Sequence, residues 1–375
     1  MLKKKHLNPT QDTKAFFSLA LMDWYFGKEQ RKLPWKASQN AYHIWLSEII
    51  LQQTRVEQGK PYYEKFIAAY PTIVELANAS EDELMKLWEG LGYYSRARNL
   101  HFTAQFIRDH YDGIFPDNYE EIRALKGVGD YTAAAIASFA FDLPYSVVDG
   151  NVYRVLSRFF GIESPIDSSA GKKEFAQLAQ SLLVASQAAD YNQAIMDLGA
   201  LVCKPKSPLC TTCPMRSSCV ANREERIGFF PVKEKTLAKK NRFFYYFVWE
   251  SPSGFSILHK RTEKDIWQGL YDFPLIELDK LVERTELSEL WASETWQTWT
   301  AGSTYQIEAD KIYGPFKQVL THQNIVALFI RVEGPLPSFF MKNLSYVEVE
   351  PKNIKKFAVP KIVQQFLIQK QSSLF

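Results

Sequence analysis

The sequence predicts two domains, an all-α domain followed by an α+β domain, and three observations carry that prediction. At 375 residues the chain exceeds what one hydrophobic core usually spans. From Thr13 to about Gly199 apolar residues recur at the three- and four-residue spacing of helices. After Pro231 the pattern changes to β-branched and aromatic runs separated by turn residues. With 46% hydrophobic and 23% charged residues, the chain has ample material for packed cores, which excludes a disordered protein.

The helical runs are AFFSLALMDWYF, AYHIWLSEIILQQT, LHFTAQFIRDHY, YTAAAIASFAF and VYRVLSRFFG. Breaks at Pro71, Gly90 to Gly92, Phe115-Pro116, Gly127 to Gly129 and Pro144 make them a compact array of short helices. In the second domain RFFYYFVWE, GFSILHKR, KQVLTHQN and IVALFIRVE read as β runs. Between the two lies VKEKTLAKK, charged and poor in core residues, which reads as a linker. The expected boundaries are 1–230, a linker at 231–241, and 242–375.

A net charge of +3 is too small to diagnose a polyanionic partner, but its placement is informative. Between Cys203 and Arg242 ten Lys or Arg residues face three Glu, a stretch suited to phosphates. Aromatic residues at 14% fill cores and can also stack on bases. No run is long and apolar enough to span a bilayer, and the start, MLKKKHLNPT, lacks the apolar core of a signal peptide. The expectation is a cytoplasmic protein with no membrane partner.

All four cysteines, Cys203, Cys210, Cys213 and Cys219, fall in one segment spaced C-x6-C-x2-C-x5-C and interrupted by Pro205, Pro208 and Pro214. Four thiolates so close repel unless a cation or cluster neutralises them. Zinc and a 4Fe-4S cluster both accept four cysteines. Structural zinc sites more often pair two short knuckles, and the single knuckle here favours iron–sulfur.

LKGVGDYTAAAIASF places Gly127 and Gly129 just before a helix. Positive φ at both would turn the chain and aim successive N–H groups outward, a nest that binds phosphate without reading sequence. Further on, Asp149 in VVDGNVYRV stands where it can cap the next helix. Hairpin, delayed Asp and four Cys in this order are far rarer together than any one part.

In that combination the chain resembles the helix-hairpin-helix DNA glycosylases, and within them the adenine DNA glycosylases of the MutY type. The resemblance covers roughly Arg31 to Cys219 through LPWKASQNAYHIWLSEIILQQTRVEQ, GLGYYSRARN, the hairpin, VVDGNVYRV, NQAIMDLGALVC and the cysteine spacing, and the rest more loosely. It implies a helical barrel with the hairpin at about 31–141, a subdomain of the N-terminal helix and 142–230 carrying a 4Fe-4S cluster on the four Cys, and a Nudix-like domain after it. Glu48 becomes the general acid and Asp149 the carboxylate that stabilises a cationic sugar, with Asn151 assisting. Tyr131, Trp35, Leu51, Gln193 and Arg31 line an adenine pocket. Gln53 wedges into the base stack, Tyr93 stacks beside the damaged guanine, and Gly127 and Gly129 hold a phosphate.

The chemistry agrees with this assignment. Adenine leaves its sugar slowly unless a ring nitrogen is protonated, and the sugar then becomes oxocarbenium-like. Glu48 in the apolar run HIWLSEIIL would keep a proton through desolvation, and an ionised Asp149 at a helix N-terminus would face the positive charge. Family members that also cut the backbone carry a Lys nucleophile after the hairpin, where this chain has Tyr131. That implies a monofunctional enzyme leaving an abasic site.

GFSILHKRTEKDIWQGLYDFPLIE resembles the Nudix-like domain of the same family, yet no glutamate-rich metal-binding helix follows Gly269. The domain is expected to bind rather than hydrolyse. The family's F-S-H loop, which reads 8-oxoguanine, corresponds to Leu320-Thr321-His322, with the aromatic replaced and the hydroxyl and imidazole retained. The implied partner is double-stranded DNA carrying A opposite 8-oxoguanine or G, bound by a monomer in a bacterial cytoplasm. The rival readings are an endonuclease III-like or thymine/uracil mismatch glycosylase, a non-catalytic iron–sulfur DNA-binding protein, and a nucleotide pyrophosphohydrolase. Tyr131, Glu48 and the second domain stand against the first, the paired carboxylates against the second, and the missing glutamates against the third.

Overall fold

The computed structural model describes residues 10–28, 32–234, 238–282, 287–301 and 311–372, with 303, 305 and 307. Its contacts divide the chain into two compact units, Met1–Ala77 with Phe102–Thr236, and Asn78–His101 with Leu237–Phe375. In chain order the larger helices are α1 (Gln11–Phe26), α2 (Ala41–Leu51), α3 (Val56–Ala69), α4 (Ile73–Asn78), α5 (Glu81–Trp88), α6 (Ser95–His110), α7 (Tyr119–Ala124), α8 (Asp130–Phe141), α9 (Gly150–Phe160), α10 (Ser169–Leu182) and α11 (Ala188–Leu201).

In the first unit α1 turns Phe17, Leu21, Met22 and Tyr25 onto Val152, Val155, Leu156 and Phe159 of α9, and α10 and α11 complete the cluster with Phe175, Leu178, Tyr191, Ile195 and Leu198. Each such side chain contributes about 1.5–3 kcal/mol when fully buried. Two helix ends in this unit are closed by left-handed residues, α8 by Asp142 at φ 54° and α9 by Gly161 at φ 68°. A short helix, α12 (Val220–Arg223), follows the cysteine segment.

The helix that carries Glu48 is buried nearly all round. Ala41, Tyr42 and every residue from Ile44 to Ile50 of α2 are buried, as expected of a helix inside a core. Asn40 caps it by accepting from the Tyr42 N–H. It packs on α8, whose buried face is built of the small residues Thr132 to Ala135, Ala137 and Ser138 around Ile136.

The second unit holds two sheets, with strands β1 (Lys240–Glu250), β2 (Ser256–Lys260), β3 (Tyr271–Asp272), β4 (Leu275–Leu278), β5 (Ile312–Val319), β6 (Gln323–Glu333) and β7 (Tyr346–Val349). Their orders are β4-β1-β6-β5 and β3-β2-β7. β1 runs parallel to β6, pairing Phe243 with Val326 and Phe247 with Ile330, and the other pairs are antiparallel. Central in its sheet, β1 is buried without interruption from Phe244 to Trp249, the pattern of a strand covered on both faces. The expected α+β composition is met by α13 (Ser288–Ala292), α14 (Glu294–Thr300), α15 (Ser338–Lys342) and α16 (Lys361–Ser372) beside these sheets.

The structure departs from two sequence expectations. KQVLTHQN is not one strand: Lys317–Val319 end β5, Leu320 to His322 turn, and Gln323 opens β6, the turn closed by the Leu320 N–H donating to the Gln323 carbonyl at 2.8 Å. The segment Asn78–His101 groups with the second unit rather than the first. The reason is a set of long-range polar bonds that no local pattern encodes. Lys260 Nζ and Tyr271 OH reach the two oxygens of Asp82 at 2.7 and 2.9 Å, and the Val359 N–H donates to Glu89 Oε1 at 2.8 Å. The linker's Lys235, Thr236 and Leu237 lie outside the described residues; at its start Val232 and Glu234 bond to Ile166 and Asp167. Among the described residues no helix is long and apolar enough to cross a membrane.

Candidate active site

A cavity of about 560 Å3 opens in the first unit, and Glu48, Tyr131, Asp149 and Asn151 all line it, with Trp35, Leu51 and Gln193. Glu48 comes from the last turns of α2 and Tyr131 from the first turn of α8, so the packing of those two helices brings them together. Tyr131 OH donates to Glu48 Oε2 at 2.7 Å. Glu48 is only 9% exposed, and burial pushes its carboxyl up to about 7, with the Asp149 charge adding and the Tyr131 bond opposing. Burial, then the Glu48 charge, pushes the Tyr131 hydroxyl well above its ordinary range, so it stays a neutral donor.

Asp149 caps α9. Its Oδ1 accepts from the Asn151 and Val152 N–H groups, both at 2.8 Å, and its Oδ2 from Asn151 Nδ2 at 2.7 Å. Burial is the strongest influence and leaves this carboxyl above its ordinary value, with the three hydrogen bonds and the Arg154 charge opposing it in part. Asn151 is itself held, its Oδ1 accepting from Arg154 Nη2 at 2.7 Å. The two carboxylates therefore differ in kind: Glu48 sits in a desolvated place with one neutral donor, and Asp149 is saturated with donors at a positive helix end.

Arg154 also reaches the cysteine segment, its Nε donating to the Cys203 carbonyl at 2.7 Å. Cys203, Cys210, Cys213 and Cys219 line one small cavity with Arg158 and Arg216. Arg158 Nη1 lies 3.4 Å from Cys203 Sγ, and burial pushes the Cys213 thiol up to about 11. Among the described residues no three His, Cys, Asp or Glu side chains converge as ligands of a single metal ion. The thiols ring a shared space instead.

At the hairpin only Gly127 is left-handed, at φ 81°. Gly129 is extended, φ −102° and ψ 178°, which corrects the expectation of positive φ at both. One left-handed residue suffices, because the turn is closed by the Val128 N–H on the Leu125 carbonyl at 3.1 Å and Gly129 then serves as the N-cap of α8. A Cβ on Gly129 would meet nothing within 4 Å, so the space over this helix end is open. Gln53, just past α2, is exposed and left-handed at φ 55°, a sparsely populated state for a non-glycine residue.

Arg31 lies outside the described residues. Lys36 and Asp197, which sequence reasoning passed over, do line the cavity. Lys36 Nζ donates to Asp197 Oδ2 at 2.9 Å, and Gln193 Nε2 to Asp197 Oδ1 at 3.3 Å. The signal was available: Gln193 and Asp197 stand four apart on one helix, a spacing at which side chains meet.

In the second unit a separate cavity of about 390 Å3 is lined by Leu320, Thr321 and His322 of the β5–β6 turn, by Tyr93, and by Trp267 among others. Tyr93 and Thr321, 228 positions apart, share a hydrogen bond between hydroxyls at 2.5 Å. Tyr93 is 45% exposed and left-handed at φ 48°.

A buried acid, a capped carboxylate beside it and a glycine hairpin on a helical scaffold define the class that comparison with known proteins returns. A sequence profile described as "HhH-GPD superfamily base excision DNA repair protein" matches residues 46–181. The adenine DNA glycosylase of Buchnera aphidicola subsp. Acyrthosiphon pisum (strain APS) is 32% identical over 365 residues, 97% of this chain and 100% of that protein. That of Homo sapiens is 42% identical over 216 residues, 55% of this chain and 39% of that protein. Among solved structures, a thermostable thymine-DNA glycosylase aligns with TM-score 0.53 and 29% identity, covering 57% of this chain and 98% of that one. An endonuclease III in non-covalent complex with DNA, at TM-score 0.50 and 23% identity over 56% of this chain and 97% of that one, shares the fold. The chain belongs to the adenine DNA glycosylase family.

Proposed function

We propose that the protein is a monofunctional DNA glycosylase of base excision repair that hydrolyses the N-glycosidic bond of adenine mispaired with 8-oxoguanine or guanine and leaves an abasic site. The observation that carries the reading is the meeting of Glu48, Tyr131 and Asp149 on one cavity, with a tyrosine where a backbone-cutting enzyme needs an amine. The partner is double-stranded DNA bound by a monomer; the hairpin holds a phosphate and Gln53 fills the gap left by the extruded base.

Tyr131 donates to Glu48 Oε2, which leaves Oε1 to carry the proton of the neutral acid. Transfer of that proton to a ring nitrogen of adenine lets the base leave as a neutral molecule. Asp149, whose two oxygens accept three hydrogen bonds, faces as a carboxylate the positive charge that grows on the sugar. Water completes the displacement. Adenine release is tested on duplexes with A opposite 8-oxoguanine, G or C; release of thymine or uracil from mismatches in place of adenine would favour the rival glycosylase.

Residues 242–375 act as a Nudix-like recognition domain joined through 231–241 to the catalytic residues of 1–230. Tyr93, Leu320, Thr321 and His322 form the reader of 8-oxoguanine. Replacing Thr321 and His322 together by Ala is expected to cut discrimination of 8-oxoguanine from guanine by about thirtyfold, at about 1 kcal/mol per hydrogen bond, with adenine release retained. An unchanged preference would locate the reader elsewhere.

The four cysteines suit a 4Fe-4S cluster: all four line one cavity, and a cluster takes four thiolates, one on each iron. Bound there, it neutralises the thiolates and clamps the basic Cys203–Cys219 segment. Protein purified without oxygen is expected to be brown, with about four irons per chain. Stoichiometric zinc and no iron in that preparation would contradict this.

A further inference from the structure

We propose that Asp197, locked by Lys36, makes the cavity selective for a 6-aminopurine by fixing which end of the Gln193 amide is left for the base. This deepens the reading above and rests on it. Glu48 alone cannot choose adenine, because every purine offers ring nitrogens to an acid. Selection has to come from a group that reads the edge of the base, and Gln193 lines the cavity with an amide that can donate or accept.

Asp197 removes that ambiguity. It is 2% exposed, and both of its oxygens are engaged, Oδ2 by Lys36 Nζ at 2.9 Å and Oδ1 by Gln193 Nε2 at 3.3 Å. A carboxylate paired with an ammonium has no proton to give, so the amide nitrogen of Gln193 must face it. The Gln193 carbonyl oxygen is what remains for a ligand. That acceptor complements the 6-amino group of adenine and repels the 6-keto oxygen of guanine or hypoxanthine. Two elements impose the arrangement: α11 sets Gln193 and Asp197 one turn apart, and the turn Pro34–Ala37 supplies Lys36.

The test compares single-turnover release of adenine, hypoxanthine and unsubstituted purine, each opposite 8-oxoguanine, by wild type and Asp197→Asn. An asparagine can donate as well as accept, so the Gln193 amide is free to turn over. The adenine-to-hypoxanthine ratio is expected to fall by about tenfold, the effect of one misdirected hydrogen bond, and the adenine-to-purine ratio to fall with it, since purine has nothing at position 6 to read. A purely structural role would slow all three bases together and leave the ratio unchanged, which would overturn the proposal. Gln193→Leu should lower the ratio as far as Asp197→Asn does, and combining the two should lower it no further; a further fall would also overturn it. If Asp197→Asn does not fold, the pair Lys36→Gln with Asp197→Asn, neutral on both sides, carries the same comparison. Failure of wild type to release adenine overturns the glycosylase reading and this inference with it, whereas an unchanged ratio in an active variant overturns this inference alone.

Discussion

Glu48→Gln is expected to abolish adenine release while binding to mismatched duplex persists. The amide keeps the shape of the side chain and still accepts the Tyr131 hydroxyl, but it has no proton to donate. Loss of a positioned general acid costs about a hundred- to ten-thousand-fold in rate. A stability measurement separates lost chemistry from a lost fold. The folded carboxyl sits at about 7 against an ordinary value of 4.5, so between those values the native state binds more protons than the unfolded chain, and wild-type stability falls as pH rises through that window. Glu48→Gln escapes this penalty. It should melt higher than wild type at pH 8, by up to about 3 kcal/mol, with the difference vanishing near pH 4. A variant that still releases adenine at a near-normal rate removes Glu48 from the acid's role. Asp149→Asn should also be severely slowed, because an amide cannot oppose the growing positive charge; its Oδ1 can still cap α9, but the bond from Asn151 Nδ2 to Oδ2 is lost where an NH2 replaces that oxygen.

The second large effect concerns the tyrosine. Tyr131→Lys places an amine at the first turn of α8, the place from which Tyr131 reaches Glu48. If only the nucleophile is missing, the new amine attacks the sugar carbon, a Schiff base forms with loss of the base, and borohydride reduces it to a stable covalent protein–DNA adduct. The variant is expected to give that adduct and wild type to give none of comparable yield. Efficient trapping by wild type would show that another amine serves and that the enzyme is not monofunctional. Tyr131→Phe, which removes the donor to Glu48 Oε2 without adding a charge, is expected to shift the pH dependence upward as the bond that holds the carboxyl down is lost.

Which parts of this site could be read from the residues follows from how local each signal is. Asp149 was legible because capping is a matter of two or three consecutive residues, and so was the cysteine set, whose members lie within one short segment. The face of Glu48 was not, since α2 is buried nearly all round and its periodicity points nowhere; only the packing of α8 against it decides that the carboxyl meets Tyr131. Lys36 was passed over in favour of Arg31 because the ion pair that defines its place spans 161 positions. The same distance problem hid the grouping of Asn78–His101 with the second unit. At the hairpin, two glycines invited two left-handed residues, and the turn needed one. The run KQVLTHQN looked continuous because its turn, Leu320-Thr321-His322, carries neither Gly nor Pro and itself holds an apolar and a β-branched residue.

The claim on which the rest depends is that a carboxyl raised by burial delivers a proton to the leaving base. Single-turnover release of adenine opposite 8-oxoguanine, measured with wild-type protein across pH 5 to 9, tests it most directly. The account predicts a plateau at low pH and a decline through about 7, the value to which Glu48 is pushed, approaching tenfold per pH unit above it. A rate constant that is flat across the whole range, or that rises with pH, would contradict it.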